Sequence, residues 1–342
     1  CSSDLNPNFK LTNTGLGVYT ITQANASGEL TGSNSKVYNG SAISLNELNS
    51  NGSIKVTLNF PGVNGQTYTL KSGDYTISGN ATDAGEYTVT LTDAGKTNVE
   101  NYIKSLAGTG QGDESNVKFA DNAISGSASF EITPSANTVS VSGTQTETYN
   151  GSPINVVYNA DDTNSVKVSI TQTSGNTTGA VASLADVTLD SGDFAIVNGP
   201  AENVGSYQVK LTAAGLAKIQ NAVGDNYSLS LADTTGTLVI NKAKASAVFS
   251  GDPSYTYTGT PVSTDDYLGQ YSIKLNEPNN PTYKLVAGDI EFNVDGNWTS
   301  QAPVKVGTYQ VRLSQSGWNH IKAINSDNVE WAATASAGKG SY

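Results

Sequence analysis

Few residues of this chain are of a type that does chemistry. One histidine, His320, and one cysteine, Cys1, stand in 342 residues. A nucleophilic triad needs a base held between an acid and a nucleophile. His320 instead lies beside the apolar stripe of an expected helix, where a histidine partly in solvent is the plain reading. Structural zinc takes about four nitrogen or sulfur ligands, which Cys1 and His320 cannot supply. No glycine-rich loop followed by Lys and Ser or Thr is present to cradle phosphate. The acidic pairs Asp113-Glu114, Asp161-Asp162 and Asp265-Asp266 offer oxygen ligands of the kind calcium takes. They lack the spacing of a calcium loop and read as solvated turns. No cofactor is expected, calcium being the one candidate.

Lys55, Lys167 and Lys274 recur in Ser-Ile-Lys-Val, Ser-Val-Lys-Val and Ser-Ile-Lys-Leu contexts, which raises the possibility of Lys–Asn isopeptide crosslinks. Such a bond needs the lysine buried beside an asparagine and a carboxylate. Strand alternation puts Ile54, Val56 and Leu58 on the core side and Lys55 on the other, so surface lysines are expected. All three tryptophans, Trp298, Trp318 and Trp331, fall near the C-terminal end. Trp318 aligns with Leu216, and Trp331 with Leu229 and Phe119, at core positions of the repeats described below. Trp298 differs: it sits in Asp295-Gly296-Asn297-Trp298-Thr299, where an aromatic ring lies beside amide and carboxylate groups. Trp298, Asn297 and Asp295 are therefore the candidate ligand-binding residues, suited to stacking on and hydrogen-bonding a glycan.

Composition narrows the class. The charged share is 14% and the net charge -12. Phosphate recognition needs clustered Lys and Arg, so nucleic acid and anionic membrane surfaces are disfavoured partners. No apolar run reaches the roughly 20 residues of a membrane span. One cysteine forms no internal disulfide. Cys1-Ser2-Ser3 has the form of a lipid-bearing lipoprotein start, but the residues after it read as the tail of a preceding repeat. Gly, Asn, Ser and Thr fill much of the chain, the profile of short strands joined by many turns.

Internal repetition is the strongest signal. Tyr38-Asn39-Gly40 returns as Tyr149-Asn150-Gly151 and Tyr257-Thr258-Gly259, a domain-sized spacing. Gly85-x-Tyr87-x-Val89-x-Leu91 matches Gly205, Tyr207, Val209 and Leu211, then Gly307, Tyr309, Val311 and Leu313. Its alternation predicts a strand with one core face. Gly73-Asp74-Tyr75, Gly192-Asp193-Phe194 and Gly288-Asp289-Ile290 read as turns entering a strand. Thr92, Thr212 and Ser314 are helix-capping types. The apolar stripes behind them are Val99, Ile103 and Leu106; Leu216, Ile219 and Val223; and Trp318, Ile321 and Ile324. Strands are expected to return through Asn116–Phe119, Asn226–Leu229 and Asn328–Trp331, and closing strands to follow, as at Phe130–Ile132 and Leu238–Ile240.

The expected fold class is α+β and β-rich: tandem β-grasp-like modules, each a mixed, mainly antiparallel sheet with one helix. The expected divisions are 1–22 as the last hairpin of a preceding repeat, on Asn8–Leu11 and Tyr19–Ile21, then modules at 23–134, 135–242 and 243–342. Brief linkers at Thr22–Ala26, Thr133–Asn137 and Asn241–Ala245 favour an elongated rod. The Tyr-Asn-Gly, Gly-Asp-aromatic and Gly-x-Tyr-x-Val-x-Leu-Thr anchors resemble the MBG-type repeats of Lactobacillus and related Gram-positive surface proteins, over all three modules. That resemblance implies a secreted, cell-wall-anchored adhesin that binds mucin or other host glycans. It transfers no binding residue, because the anchors are core and turn positions. The segment is expected to be a monomer, without membrane insertion, and not an enzyme, since no catalytic constellation repeats with the fold. The alternative is a set of non-catalytic accessory repeats of a large extracellular carbohydrate-active enzyme.

Overall fold

The computed structural model describes residues 17–333 except 64, 111, 113 and 174–177, together with 336–337 and 340–341. Cys1 and the expected strand at Asn8–Leu11 lie outside the described residues. Tyr19–Ile21 are in no strand, and Tyr19 and Ile21 are exposed. The chain forms two compact units, one running to Ser135 and including Thr178–Ala180, the other from Ala136 onward.

The first unit holds β1 (Ala24–Thr31), β2 (Ser33–Val37), α1 (Leu45–Asn49), β3 (Lys55–Asn59), β4 (Thr67–Tyr68), β5 (Tyr75–Ile77), β6 (Gly85–Leu91), α2 (Asp93–Ala107) and β7 (Val117–Thr133). They build one sheet in the order β4-β3-β1-β7-β6-β5, with β2 also on β7. The opening strands β1 and β2 run parallel to the closing strand β7, and the other pairs are antiparallel. Parallel first and last strands with a helix between them are the β-grasp arrangement anticipated from the repeat. The two strands expected at Asn116–Phe119 and Phe130–Ile132 are one continuous strand, β7. It is bent where Asn122 (φ 58°) and Gly126 (φ 93°) take left-handed backbone, and a Cβ at Gly126 would lie 2.4 Å from the Leu30 carbonyl oxygen.

The second unit continues with β8 (Ser135–Thr148), β9 (Val166–Gln172), β10 (Phe194–Ile196), β11 (Gly205–Leu211), α3 (Ala213–Val223), β12 (Tyr227–Leu231) and β13 (Gly236–Asn241). These order as β10-β11-β13-β8-β12, with β9 on β8 and β13 parallel to β8. The third module follows as β14 (Ala243–Ser250), α4 (Thr264–Leu268), β15 (Ser272–Asn276), β16 (Ile290–Val294), β17 (Asn297–Thr299), β18 (Gln310–Leu313), α5 (Gln315–Ala323), β19 (Val329–Trp331), β20 (Ser336–Ala337) and β21 (Gly340–Ser341). It has two four-stranded sheets, β15-β14-β19 with β20, and β17-β16-β18-β21.

The stretches expected as linkers are largely strand. Only Pro134 separates β7 from β8, and only Lys242 separates β13 from β14. Backbone groups in two of these stretches pair in the sheets, Ala24 with Val117 and Ala243 with Val329. The short helices α1 and α4 were not expected, because five residues are too few to show a helical period. Each is fixed by a serine cap, Ser44 or Ser263.

Alternation places the core as anticipated. Ile54, Val56, Leu58, Val89 and Phe130 are buried while Lys55 is exposed. In α2, Val99 and Ile103 are buried but Leu106, expected in the stripe, is exposed at the fraying last turn. The caps are as expected: the Thr92, Thr212 and Ser314 hydroxyls accept from the Gly95, Gly215 and Gly317 amides at 2.9, 3.0 and 3.0 Å. Each such cap is worth about 1 kcal/mol.

Candidate functional site

The Asp295-Gly296 pair makes a two-residue hairpin turn between β16 and β17. Asp295 (φ 52°) and Gly296 (φ 85°) both take the left-handed backbone that such turns require. Register pairs Asn293 with Trp298, and Phe292 with Thr299. Phe292 is fully buried on the core face, so Trp298 projects from the opposite, outer face, where it is half-buried. On the other flank of β16, Glu291 pairs with Arg312 of β18. The Arg312 guanidinium lies 4.0 Å from the Trp298 ring centroid. Arg312 donates from Nε and Nη2 to Glu291 Oε2 at 3.0 and 2.9 Å. The carboxylate fixes the guanidinium, and the guanidinium covers one face of the indole, a contact worth about 0.5–1 kcal/mol at an exposed site.

The three residues read from sequence as a ligand site thus divide. Asp295 and Asn297 stand exposed at the hairpin tip, and Trp298 lies on the adjoining outer face. Asp295 is needed by the turn itself. Arg312 and Glu291 were missed. Alternation had put Arg312 on the outward face of its strand, but only pairing register brings it over Trp298. Trp318 is buried as expected and Trp331 is half-buried against the core, their rings edge-to-face at 6.2 Å, with indole N–H groups donating to the Ala333 and Ile324 carbonyls.

The Gly-Asp motif does more than turn the chain. Asp74 is fully buried and accepts from the Tyr68 hydroxyl, the Lys71 amide and Asn98 Nδ2, each at 2.8 Å. Asp289 is also fully buried. It accepts from the Tyr283 hydroxyl at 2.7 Å and the Val286 amide at 2.8 Å, and its Oδ1 lies 2.8 Å from His320 Nδ1. Asp193 accepts from the Asp190 amide at 2.8 Å and Lys218 Nζ at 2.9 Å. Asn98, Lys218 and His320 hold the same place, six residues beyond the helix cap. Each helix is therefore tied by one side chain to the Gly-Asp aspartate, and Lys218 also reaches Asp190 at 3.0 Å. The three aspartate carbonyls also accept from the Thr92, Thr212 and Ser314 amides at 2.9, 2.8 and 2.7 Å. What recurs at the sixth position is a hydrogen-bond donor and not a histidine. The Asp289–His320 pair is thus the third module's form of a helix anchor, and His320 is not singled out for catalysis.

Burial, and secondarily the bond to an aspartate carboxylate, push the Tyr68 and Tyr283 phenols well above the usual tyrosine range. Val187 stands at the matching place in the second module. A folded-state pKa raised above its unfolded value contributes stability at neutral pH that is lost as pH climbs past about 10. Melting temperatures should therefore fall steeply from pH 9 to 11 for the native chain and more gently for a Tyr68→Phe, Tyr283→Phe variant. Parallel curves from the two would refute this origin of alkaline sensitivity.

The acidic pairs have structural partners. Around Asp161-Asp162 the backbone carbonyls of Asn159, Ala160 and Asp162 all accept from Lys167 Nζ, the first two at 2.8 Å. Three carbonyls of this turn thus converge on one ammonium group of the chain itself. Asp265 and Asp266 sit in the first turn of α4, where acids suit the helix dipole. Asp113 lies outside the described residues. Among those described, no three His, Cys, Asp or Glu side chains gather as metal ligands, and no helix is long and apolar enough to cross a membrane.

Three modules, each with a helix tied to the aspartate of a recurring Gly-Asp turn, define a tandem-repeat, β-rich protein. The MBG domain matches residues 25–134, 136–242 and 244–342, and the chain belongs to that family. Among solved structures, a cell surface adhesin from Lactobacillus reuteri is similar at 24% identity, over 31% of this chain and 94% of that one, with a TM-score of 0.22. No curated protein matches the chain.

Proposed function

We propose that this chain is a structural and adhesive repeat segment of a secreted, cell-wall-associated bacterial adhesin, and that its third module contacts mucin or another host glycan. Membership of the MBG family and the threefold repetition support the display role. The observation that carries the adhesive role is the outer sheet face of the third module, where Trp298 lies over Arg312 beside the exposed Asp295 and Asn297. An indole backed by a fixed guanidinium is a rigid platform for a sugar ring, and the amide and carboxylate at the tip can bond its hydroxyls. The corresponding turns after Ile77 and Ile196 are shorter and carry no tryptophan, so the platform belongs to one module. A single such contact is weak, and copies along a surface would add avidity.

A mucin and glycan array at physiological salt tests this with the native chain and Trp298→Ala. Binding that the substitution lowers at least tenfold is the expected outcome. No binding by the native chain, or equal binding by both, would remove the adhesive role from this face and leave a spacer.

A further inference from the structure

The second and third modules meet within one compact unit through a joint whose parts recur in the repeat. The Tyr149 hydroxyl accepts from Asn279 Nδ2 at 2.7 Å and from Asn325 Nδ2 at 3.5 Å. Asn328, buried, accepts on Oδ1 from the Val204 amide at 2.8 Å and donates from Nδ2 to Asn203 Oδ1 at 3.0 Å. Gly151 takes φ 78°, and a Cβ there would stand 2.1 Å from Asn279 Oδ1, so the Tyr-x-Gly turn also permits the close approach. Ala243, Ala245, Val329 and Trp331 of the third module pack with the core of the second. The joint buries Tyr149 to 6% exposure.

The third module repeats the receiving half of this joint. Tyr257 and Gly259 match Tyr149 and Gly151, and Gly259 takes φ 81°. Lys305 and Val306 match Asn203 and Val204. The local geometry is kept: the Tyr309 hydroxyl donates to the Lys305 carbonyl at 2.8 Å, as the Tyr207 hydroxyl does to that of Asn203 at 2.8 Å. The cover is different. Tyr257 is 64% exposed and Val306 86% exposed, whereas Val204 is packed against the core of its module. A groove of about 350 Å³ runs between the segments carrying Tyr257 and Val306, lined also by Val262 and Val304.

We infer that this face of the third module is a docking surface for a further copy of the MBG module. The incoming copy would present the asparagine that recurs as Asn116, Asn226 and Asn328, directly before the strand that follows each helix. Its side chain would bond the Val306 amide as Asn328 bonds that of Val204, and its following apolar residue would cover Val306. The occupant is specified by the joint already present: Tyr257, Gly259 and the Val306 amide repeat Tyr149, Gly151 and the Val204 amide, while Lys305 in place of Asn203 drops the one acceptor that Asn203 Oδ1 offers Asn328. This concerns assembly and is independent of whether the Trp298 face binds glycans.

Thiol labelling tests the inference. In a Cys1→Ser background, Val204→Cys and Val306→Cys are compared in the native-length chain and in two lengthened chains. One of these repeats residues 242–342 after Tyr342 and the other repeats 134–242. Maleimide should label Val306→Cys rapidly in the native-length chain and Val204→Cys slowly. Lengthening should slow Val306→Cys at least tenfold in one or both lengthened chains, and alanine for the leading asparagine of the added copy should restore fast labelling. Rapid labelling of Val306→Cys in both lengthened chains would overturn the inference, as would slow labelling in the native-length chain.

Discussion

Asp74→Ala destabilises the first module by about 3 kcal/mol or more, since it leaves three donors without their acceptor at roughly 1–3 kcal/mol for each one that stays buried. Asp74 has no exposure and three donors converge on it. Alanine leaves the Tyr68 hydroxyl, the Lys71 amide and Asn98 Nδ2 facing a cavity without an acceptor. It also removes the Asn98 tie between α2 and the Gly73-Asp74 turn, leaving the Thr92 bonds to the Asp74 and Gly73 carbonyls. Asp74→Asn keeps one acceptor oxygen but turns an amide toward groups that are themselves donors, so an intermediate loss of about 1–3 kcal/mol is expected. Denaturant unfolding followed by circular dichroism measures both. A loss under 1 kcal/mol for alanine would show the cluster to be incidental to stability.

Gly95→Ala is the second large effect, and its sign runs against helix propensity. In an exposed helix interior alanine is better than glycine by about 1 kcal/mol. Here a Cβ would lie 2.0 Å from the Asp74 carbonyl oxygen, which is backbone and held by the Thr92 amide. Either the helix or the Gly73-Asp74 segment must shift, and a net loss of about 3 kcal/mol is expected, the upper part of the range for overpacked sites. The same glycine recurs as Gly215 and Gly317, where the Cβ would lie 2.7 and 2.4 Å from the Asp193 and Asp289 carbonyl oxygens. The losses should rank Gly95, then Gly317, then Gly215. Thermal melts of the three variants check the order, and a stabilising alanine at any of them would contradict the close-contact reading.

Both predictions rest on positions that sequence reading had in hand but undervalued. Gly-Asp recurs three times while the residue after it changes from Tyr to Phe to Ile, and a turn alone does not demand that constancy. The signal for a buried carboxylate was the retained aspartate. Its partners were hidden because Asn98, Lys218 and His320 share only the ability to donate a hydrogen bond. The linkers were misjudged for a related reason. Thr133-Pro134-Ser135 looks like a turn locally, yet its neighbours are strand because distant strands pair with them.

The sequence by itself determined the module and its count, since strand alternation, helix stripe and capping residue are local patterns set by backbone geometry and repeated three times. It also determined which faces are core: Val56, Val89 and Ile103 are buried where period two or 3.6 put them. Only the tertiary structure decided which distant groups meet. Strand register set Arg312 over Trp298, a folded loop closed three carbonyls around Lys167, and the next module covered Tyr149 while leaving Tyr257 open. These are contacts between segments far apart along the chain, fixed by packing and pairing that no local pattern encodes.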